Sequence, residues 1–248
     1  MKLEIDSFIP HNSITCVVFG FDKKELKILV LKWKDSDIWT LPVGFIKKHV
    51  SLDEAAIRIL QNRTGLKLPF LEQFYTFGST ERRNLNSNIL SKSNFKDISS
   101  EFAEWIDKRF IGTGYLSLVN IDKCEVSADE ISDKCEWVSI NNLPKLLYDH
   151  SEMVSKALRK IRMELNYLPI GISMLEEKFT MKELQLLYQS ILGKELDRGN
   201  FQKKMLKLGI LIRLEKQNNG GAHKAPYLYK FDEIKYKSLL DKGFGYIN

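Results

Sequence analysis

The sequence predicts an α/β fold of the α+β kind, in which a first domain with a mixed β-sheet precedes a C-terminal winged helix-turn-helix domain. Two observations lead to this prediction. Strand and helix patterns alternate up to about residue 160, and from residue 180 two helices and two short strands follow in winged-helix order. A proline and a glycine within 166–172 separate the two parts. We therefore expect domains at 1–160 and 161–248.

The first domain opens with a predicted β-hairpin, because segments 14–21 and 26–33 are rich in aliphatic and β-branched residues. Ser51 can then cap a helix with Glu54 as its capping-box partner. A stretch rich in Ser and Asn predicts an insertion at about 84–108. The other predicted elements are strands at 70–77, 110–119 and 136–140, a helix at 102–106, and a helix from about 145 to 165 that can break near Asp149.

The second domain begins with another capping box, formed by Thr180 and Glu183 at the start of an amphipathic helix. Asp197 caps the next helix, and strands at 210–214 and 227–231 flank a Gly- and Asn-rich loop that would be the wing. The expected inner-face residues are Leu184, Leu187, Tyr188 and Ile191 in the first helix, and Phe201, Met205 and Leu208 in the second.

The net charge is +6, and most of it lies after residue 160, where 15 Lys and Arg stand against 10 Asp and Glu. Such an excess indicates a polyanionic partner such as nucleic acid, or else a solvated lysine-rich surface. No stretch approaches the roughly 20 apolar residues of a membrane helix, so no membrane partner is expected. The three cysteines form no CxxC pair. This fits a reduced, cytoplasmic protein without structural zinc.

Residues 44–66 carry part of the motif G-x5-E-x7-R-E-U-x-E-E-x-G-U, in which U is aliphatic. The matching residues are Gly44, Arg58, Leu60, Gly65 and Leu66. The four glutamate positions hold Val50, Ile59, Asn62 and Arg63. The segment therefore resembles a degenerate Nudix box. Together with the strand order, the resemblance covers about 10–160 and implies a Nudix-like α/β/α sandwich.

The missing glutamates bear on chemistry, because Nudix hydrolases use them to hold Mg²⁺ or Mn²⁺ against a diphosphate. Asn62 offers at most one neutral oxygen, and Arg63 adds a positive charge. Asp53 and Glu54 lie in the first helical turn, where capping explains them. We expect no catalytic residue, no metal site, no cofactor and no enzymatic activity. The alternative is a residual Nudix-type hydrolase of nucleotide-sugar diphosphates.

Two further stretches, 71–78 and 193–204, resemble Nudix-related transcriptional regulators of the NrtR and AraR types. That resemblance implies an effector-sensing first domain and a DNA-binding second domain. In such domains the second helix enters the major groove, where Arg198 could pair with guanine and Asn200 with adenine. The residues expected on phosphates or in the wing are Lys203, Lys204, Lys207, Lys216, His223 and Lys224.

An effector pocket needs converging polar groups and an aromatic wall. The candidate ligand-binding residues are Lys32, Trp39, Phe45, Glu72, Gln73 and Tyr115. Each also has an ordinary explanation as a core or surface residue. The resemblance implies a sugar such as L-arabinose, a sugar acid or ADP-ribose as effector, and the sequence does not choose among them.

The sequence as a whole predicts a ligand-responsive DNA-binding transcriptional regulator of sugar (carbohydrate) or NAD-related metabolism, with an inactive Nudix domain as its sensor. We expect a homodimer on a double-stranded operator of pseudo-palindromic sequence, because half-sites mirror the two-fold symmetry of the protein. A protein-interaction module that uses the winged helix to dock a protein is a further alternative.

Overall fold

The computed structural model describes residues 4–67, 71–83, 99–165, 171–217 and 225–242. In chain order its strands and helices are β1 (Phe8–Phe21), β2 (Leu26–Trp33), β3 (Trp39–Thr40), β4 (Val43–Lys47), α1 (Leu52–Thr64), β5 (Glu72–Phe77), α2 (Ser100–Ile106), β6 (Ile111–Asn120), β7 (Ser132–Ser139), α3 (His150–Glu164), β8 (Phe179–Thr180), α4 (Met181–Leu192), α5 (Arg198–Lys207), β9 (Leu211–Lys216), β10 (Tyr227–Phe231) and α6 (Glu233–Lys242). Within these residues, no helix is both long and apolar enough to cross a bilayer.

The chain divides into two compact units. The first unit comprises Met1–Phe19, Lys27–Ser117 and Cys124–Ala157. The second comprises Gly20–Leu26, Leu118–Lys123 and Leu158–Asn248. The second unit therefore holds the winged-helix elements together with the β1–β2 turn and the end of β6.

One large sheet organises the N-terminal part. Among the described residues, β3, β2, β1, β6 and β5 follow one another in it, β4 pairs with β1, and β7 pairs with β2. Residues 13–21 of β1 are buried throughout, because the strand lies inside the sheet. Helix α1 begins at the predicted cap, since the Ser51 hydroxyl accepts a hydrogen bond from the Glu54 backbone N–H (3.3 Å), but the Glu54 carboxylate pairs with Arg58 instead of completing the predicted capping box. It ends at Gly65, which has a left-handed φ of 73°.

Two expectations about the helices of this part differ in outcome. The short helix predicted at 102–106 is confirmed as α2, whose first turn is capped by Ser99. The long helix predicted from about 145 starts later than that, at His150, directly after the predicted break at Asp149. The reason is tertiary: Leu147 donates its backbone N–H to the Trp39 carbonyl (2.8 Å), and Tyr148 takes a left-handed φ of 54°. The rest of the predicted insertion, 84–98, lies outside the described residues.

The winged-helix elements follow the predicted order, with a small sheet in the sequence β8-β10-β9. Leu184, Leu187 and Ile191 of α4 are buried at the helical spacing that predicted them. The ring of Tyr188 meets that of Phe201 from α5 (centroids 5.3 Å apart), which packs the two helices together. The sequence pattern missed β8 and α6. β8 has two residues, too few for a strand periodicity to show.

Helix α4 provides a direct stability test, since its capping box is complete. The Thr180 hydroxyl accepts from the Glu183 N–H (3.2 Å), and the Glu183 carboxylate accepts from the Thr180 N–H (2.6 Å). We expect Thr180→Ala to lower the free energy of unfolding by about 1 kcal/mol. Thr180→Ser keeps the hydroxyl and should stay within about 0.5 kcal/mol of the wild type. Equal losses in both variants, measured by urea unfolding, would refute this role for the hydroxyl.

Candidate functional site

The remnant of the box on α1 is apolar where a hydrolase would need an acid. Ile59 is 9% exposed, and its side chain lies over Gly44 on β4. A Cβ atom added to Gly44 would come within 2.9 Å of the Ile59 side chain. The glycine of the motif is thus explained by close packing of β4 against α1. The same packing fills with hydrocarbon the position where the motif has its first helical glutamate.

The last glutamate position of the motif is taken by an internal ion pair. Arg63 donates from its Nη1 to the carboxylate of Asp129, and the two side chains are 12% and 13% exposed. Burial lowers the pKa of the Arg63 guanidinium, and the Asp129 carboxylate opposes that shift. The charge that would repel a metal ion is therefore neutralised inside the protein. Asp129 was not among the predicted residues, and no spacing rule connects two residues 66 positions apart.

A second contact joins the start of α1 to β6. The Tyr115 hydroxyl donates to Oδ1 of Asp53 (2.6 Å), and Tyr115 is fully buried. Burial and the hydrogen bond to Asp53 raise the pKa of the Tyr115 phenol. Tyr115, a predicted ligand residue, therefore uses its hydroxyl within the fold. Asp53, expected to act only in the first turn, has this tertiary partner, whereas Glu54 pairs with Arg58 one turn along the helix.

These residues do not fit the divalent cation that a Nudix hydrolase would hold. At the motif positions Ile59, Asn62 and Arg63 offer no carboxylate, and Asp53 and Glu54 have the partners just described. Among the described residues, no group of three or more His, Cys, Asp or Glu side chains is arranged to hold a metal ion. Mg²⁺ needs several oxygen ligands around it, so this donor set does not suit it.

The predicted ligand residues fall into separate groups on the sheet. Lys32 lies opposite Trp39 on β2 and β3, and its ammonium is 3.4 Å from Asp37. Gln73 lies opposite Tyr115 on β5 and β6, next to Glu72. β1 lies between β2 and β6 in the sheet. The structure thus brings these residues together in pairs on either side of β1, and it does not gather them into one cluster.

Phe45, the remaining candidate, belongs to an aromatic cluster. Its ring centroid lies 4.6 Å from that of Trp105 and 5.6 Å from that of Phe110, and Phe8 and Phe102 lie around it. Trp105 and Phe102 come from α2, which lies within the predicted insertion. The helix therefore packs on a residue that was predicted to line the effector pocket. No local pattern indicates this contact, because the cluster unites residues of β1, β4 and α2 with Phe110, just before β6.

The basic face of the second unit lies on α5. Asp197 caps this helix by accepting from the Asn200 N–H (2.8 Å), and Phe201 and Met205 are buried beneath it. The side chains predicted to meet DNA from this helix are all exposed: Arg198, Asn200, Lys203, Lys204 and Lys207. Lys216, at the end of β9, is exposed as well. His223 and Lys224 lie outside the described residues.

The turn before α5 is held from two sides. Gln185 of α4 donates to the Leu196 carbonyl (2.7 Å), and Arg162 donates through Nε to the Ile191 carbonyl (2.6 Å) at the end of α4. Gly193 takes a left-handed φ of 69° between them. These contacts fix the angle at which α5 leaves α4, with its basic side chains directed to solvent. The geometry is that of a helix-turn-helix with a free second helix.

The same region matches a known family model, that of the NrtR DNA-binding winged helix domain, over residues 171–231. Residues 171–231 are an NrtR-type winged-helix domain. Beyond this domain, the ADPR-responsive transcriptional repressor NtrR of Acinetobacter baylyi is 26% identical over 231 residues, which cover 90% of this chain and 82% of the repressor.

A solved structure and a second sequence relative are also similar to this chain. The crystal structure of Shewanella oneidensis NrtR complexed with a 27mer DNA has a TM-score of 0.67 and 21% identity, covering 91% of this chain and 95% of that one. An ADP-ribose pyrophosphatase of Methanocaldococcus jannaschii is 23% identical over 145 residues, 57% of this chain and 72% of the enzyme. The predicted fold, a Nudix-like domain followed by an NrtR-type winged helix, is confirmed, and so is the resemblance to Nudix-related regulators.

Proposed function

We propose that this chain is a DNA-binding transcriptional repressor that responds to ADP-ribose and does not hydrolyse it. The observation that carries the proposal is the exposed basic face of α5 within an NrtR-type winged helix. Arg198 and Asn200 stand at the N-terminal end of that helix, where base edges are read in the major groove. Lys203, Lys204 and Lys207 follow as phosphate contacts. Residues 161–248 are thus the reading domain.

The sensing domain is residues 1–160. ADP-ribose is favoured over a sugar or a sugar acid because the related Acinetobacter repressor is described as ADPR-responsive. The proposed lack of hydrolysis is supported by α1, where Ile59 is packed against Gly44 and Arg63 is paired with Asp129. We further propose a cytoplasmic homodimer on a pseudo-palindromic operator, since a two-fold protein reads two inverted half-sites.

DNA reading is tested with two single variants. Arg198→Ala should lower the affinity for the operator by about 10-fold or more. It should also reduce the ratio of operator affinity to random-DNA affinity. Lys204→Ala should lower the affinity for both DNAs by the same factor. It should also reduce the slope of log affinity against log salt concentration by about one. Fluorescence anisotropy on the DNA upstream of the gene, and on a shuffled duplex, measures both effects. Wild-type affinity for both duplexes in both variants would overturn the assignment of α5.

The sensing half is tested by calorimetry and by product analysis. We expect ADP-ribose to bind, to release the protein from the operator, and to remain intact with Mg²⁺ present. Likeness to a pyrophosphatase supports the alternative, a residual hydrolase. Steady turnover of ADP-ribose to AMP and ribose 5-phosphate would establish that alternative. L-arabinose, titrated in parallel, should leave operator affinity unchanged.

A further inference from the structure

Two elements of the chain belong partly to each of its compact units. Strand β6 passes from the first unit to the second after Ser117, and helix α3 does so after Ala157. Both elements continue without a break at these positions. A continuous strand and a continuous helix therefore lead from the first unit into the second.

The end of β6 is attached to the segment that precedes α4. Asn120 is 4% exposed, and its Nδ2 donates to Oε1 of Glu176 (2.8 Å), while its Oδ1 accepts the Asp122 N–H (2.9 Å). The Lys123 ammonium lies 3.3 Å from Oε2 of Glu176. The hydrogen bond from Asn120 and the pair with Lys123 hold the pKa of the Glu176 carboxyl below its usual range. A charged carboxylate thus holds the start of the winged helix to the end of β6.

The other end of α4 is held by α3. Arg162 of α3 donates through Nε to the Ile191 carbonyl (2.6 Å). A Cβ atom added to Gly193 would lie 3.2 Å from Nη2 of Arg162, so the guanidinium closes over the end of α4. α4 is therefore fixed by β6 near its start and by α3 at its end. If β6 and α3 shift relative to each other, α4 turns, and α5 turns with it because Phe201 packs on Tyr188.

In the first unit, the same two elements adjoin the two groups of predicted ligand residues. Tyr115 belongs to β6 itself. The Trp39 carbonyl accepts the Leu147 N–H (2.8 Å) shortly before α3, and Nδ1 of His150 at the start of α3 accepts the Leu41 N–H (3.1 Å). A ligand that contacts both groups therefore acts on β6 and on α3 at once.

We infer that α4 transmits the effector signal: ADP-ribose displaces β6 against α3, and the attachments Asn120–Glu176 and Arg162–Ile191 convert this into a turn of α4 that lowers operator affinity. This inference rests on the proposed response to ADP-ribose, and it names the residues that carry the response. Glu176 and Arg162 are positioning residues, which act through α4 and touch neither ligand. The plain structural alternative is that both contacts only stabilise the winged helix.

The test measures the coupling ratio, which is the operator affinity of the full chain without ADP-ribose divided by that with saturating ADP-ribose. We expect about 10-fold or more for the wild type, within the usual range of allosteric coupling. Glu176→Ala removes both contacts before α4 and should bring the ratio below about 3-fold, while each ligand alone still binds within about 3-fold of the wild type. Glu176→Gln can still accept from Asn120 and should keep the wild-type ratio.

Two more variants complete the design. Arg162→Ala breaks the attachment at the other end of α4 and should reduce the ratio in the same way. Glu177→Ala removes the neighbouring exposed carboxylate and should leave the ratio unchanged. By linkage, the operator must lower the affinity for ADP-ribose by the same factor. Calorimetry with and without the duplex therefore checks each ratio independently, and a merely structural role would not move it.

The possible failures are distinguishable. If Glu176→Ala and Arg162→Ala both keep the wild-type ratio, α4 does not carry the signal and the inference is wrong. It is also wrong if Glu176→Ala lowers the melting temperature and abolishes operator binding without ADP-ribose, because the contact is then structural. If Glu176→Gln loses the ratio as Glu176→Ala does, the attachment through Asn120 is wrong. If ADP-ribose leaves the operator affinity of the wild type unchanged, the proposed response itself fails, and the inference with it.

Discussion

Asp129→Ala should lower the free energy of unfolding by about 3–5 kcal/mol, because it leaves the guanidinium of Arg63 buried without its counter-charge. Asp129→Asn should cost a similar amount, since it keeps the shape of the side chain and removes only the charge. The four tryptophans all lie between residues 33 and 137. Urea unfolding followed by tryptophan fluorescence therefore reports on the sheet domain that contains the pair.

The matched control for this prediction is the exposed pair on the same helix. Glu54→Ala breaks the ion pair with Arg58, whose side chain is 56% exposed, and should cost no more than about 0.5 kcal/mol. Replacing both members of the buried pair, as in Arg63→Met with Asp129→Leu, should restore most of the lost stability. If Asp129→Ala lowered the free energy of unfolding by less than about 1 kcal/mol, the Arg63 guanidinium would be solvated and the pair would not be buried.

Phe201→Ala should destabilise the reading domain by about 3–5 kcal/mol. Phe201 is 6% exposed, and its ring packs on that of Tyr188, so removal leaves a cavity between α4 and α5. Because this contact holds α5 in place, we expect operator affinity to fall together with stability. Far-UV circular dichroism at increasing urea measures the stability, and anisotropy on the operator measures the affinity.

Lys203→Ala separates packing from charge on the same helix. Because Lys203 is exposed, its replacement by Ala should change the free energy of unfolding by no more than about 0.5 kcal/mol. The same replacement should still lower the affinity for DNA. A Phe201→Ala protein with wild-type stability would contradict the packing described for α5. Weak DNA binding by a fully stable Phe201→Ala protein would instead assign a direct DNA contact to a residue that is buried here.

The Arg63–Asp129 pair bears on the proposal that the first domain binds ADP-ribose without hydrolysing it. The motif glycines keep their structural tasks, since Gly44 admits Ile59 and Gly65 ends α1. The motif positions that hold glutamate in a hydrolase carry no acid here, and at one of them Arg63 forms an internal ion pair with Asp129. A site without an anionic cage cannot gather a metal ion against a diphosphate, so the proposed response to ADP-ribose depends on binding alone.

The features that depend on neighbouring residues could be predicted from the sequence. Capping by Ser51, Thr180 and Asp197, the absence of the motif glutamates, and the outward basic face of α5 are all local, because a helix repeats its face every three or four residues. These features carried the prediction of both domains and of a DNA-reading helix.

Contacts between residues far apart along the chain could be found only in the folded structure. It paired Arg63 with Asp129 and Tyr115 with Asp53, 66 and 62 positions apart, and it delayed the start of α3 to His150. It also placed Phe45 among the rings of α2. No sequence periodicity encodes these contacts, because they form only when helices and strands from distant parts of the chain pack against one another.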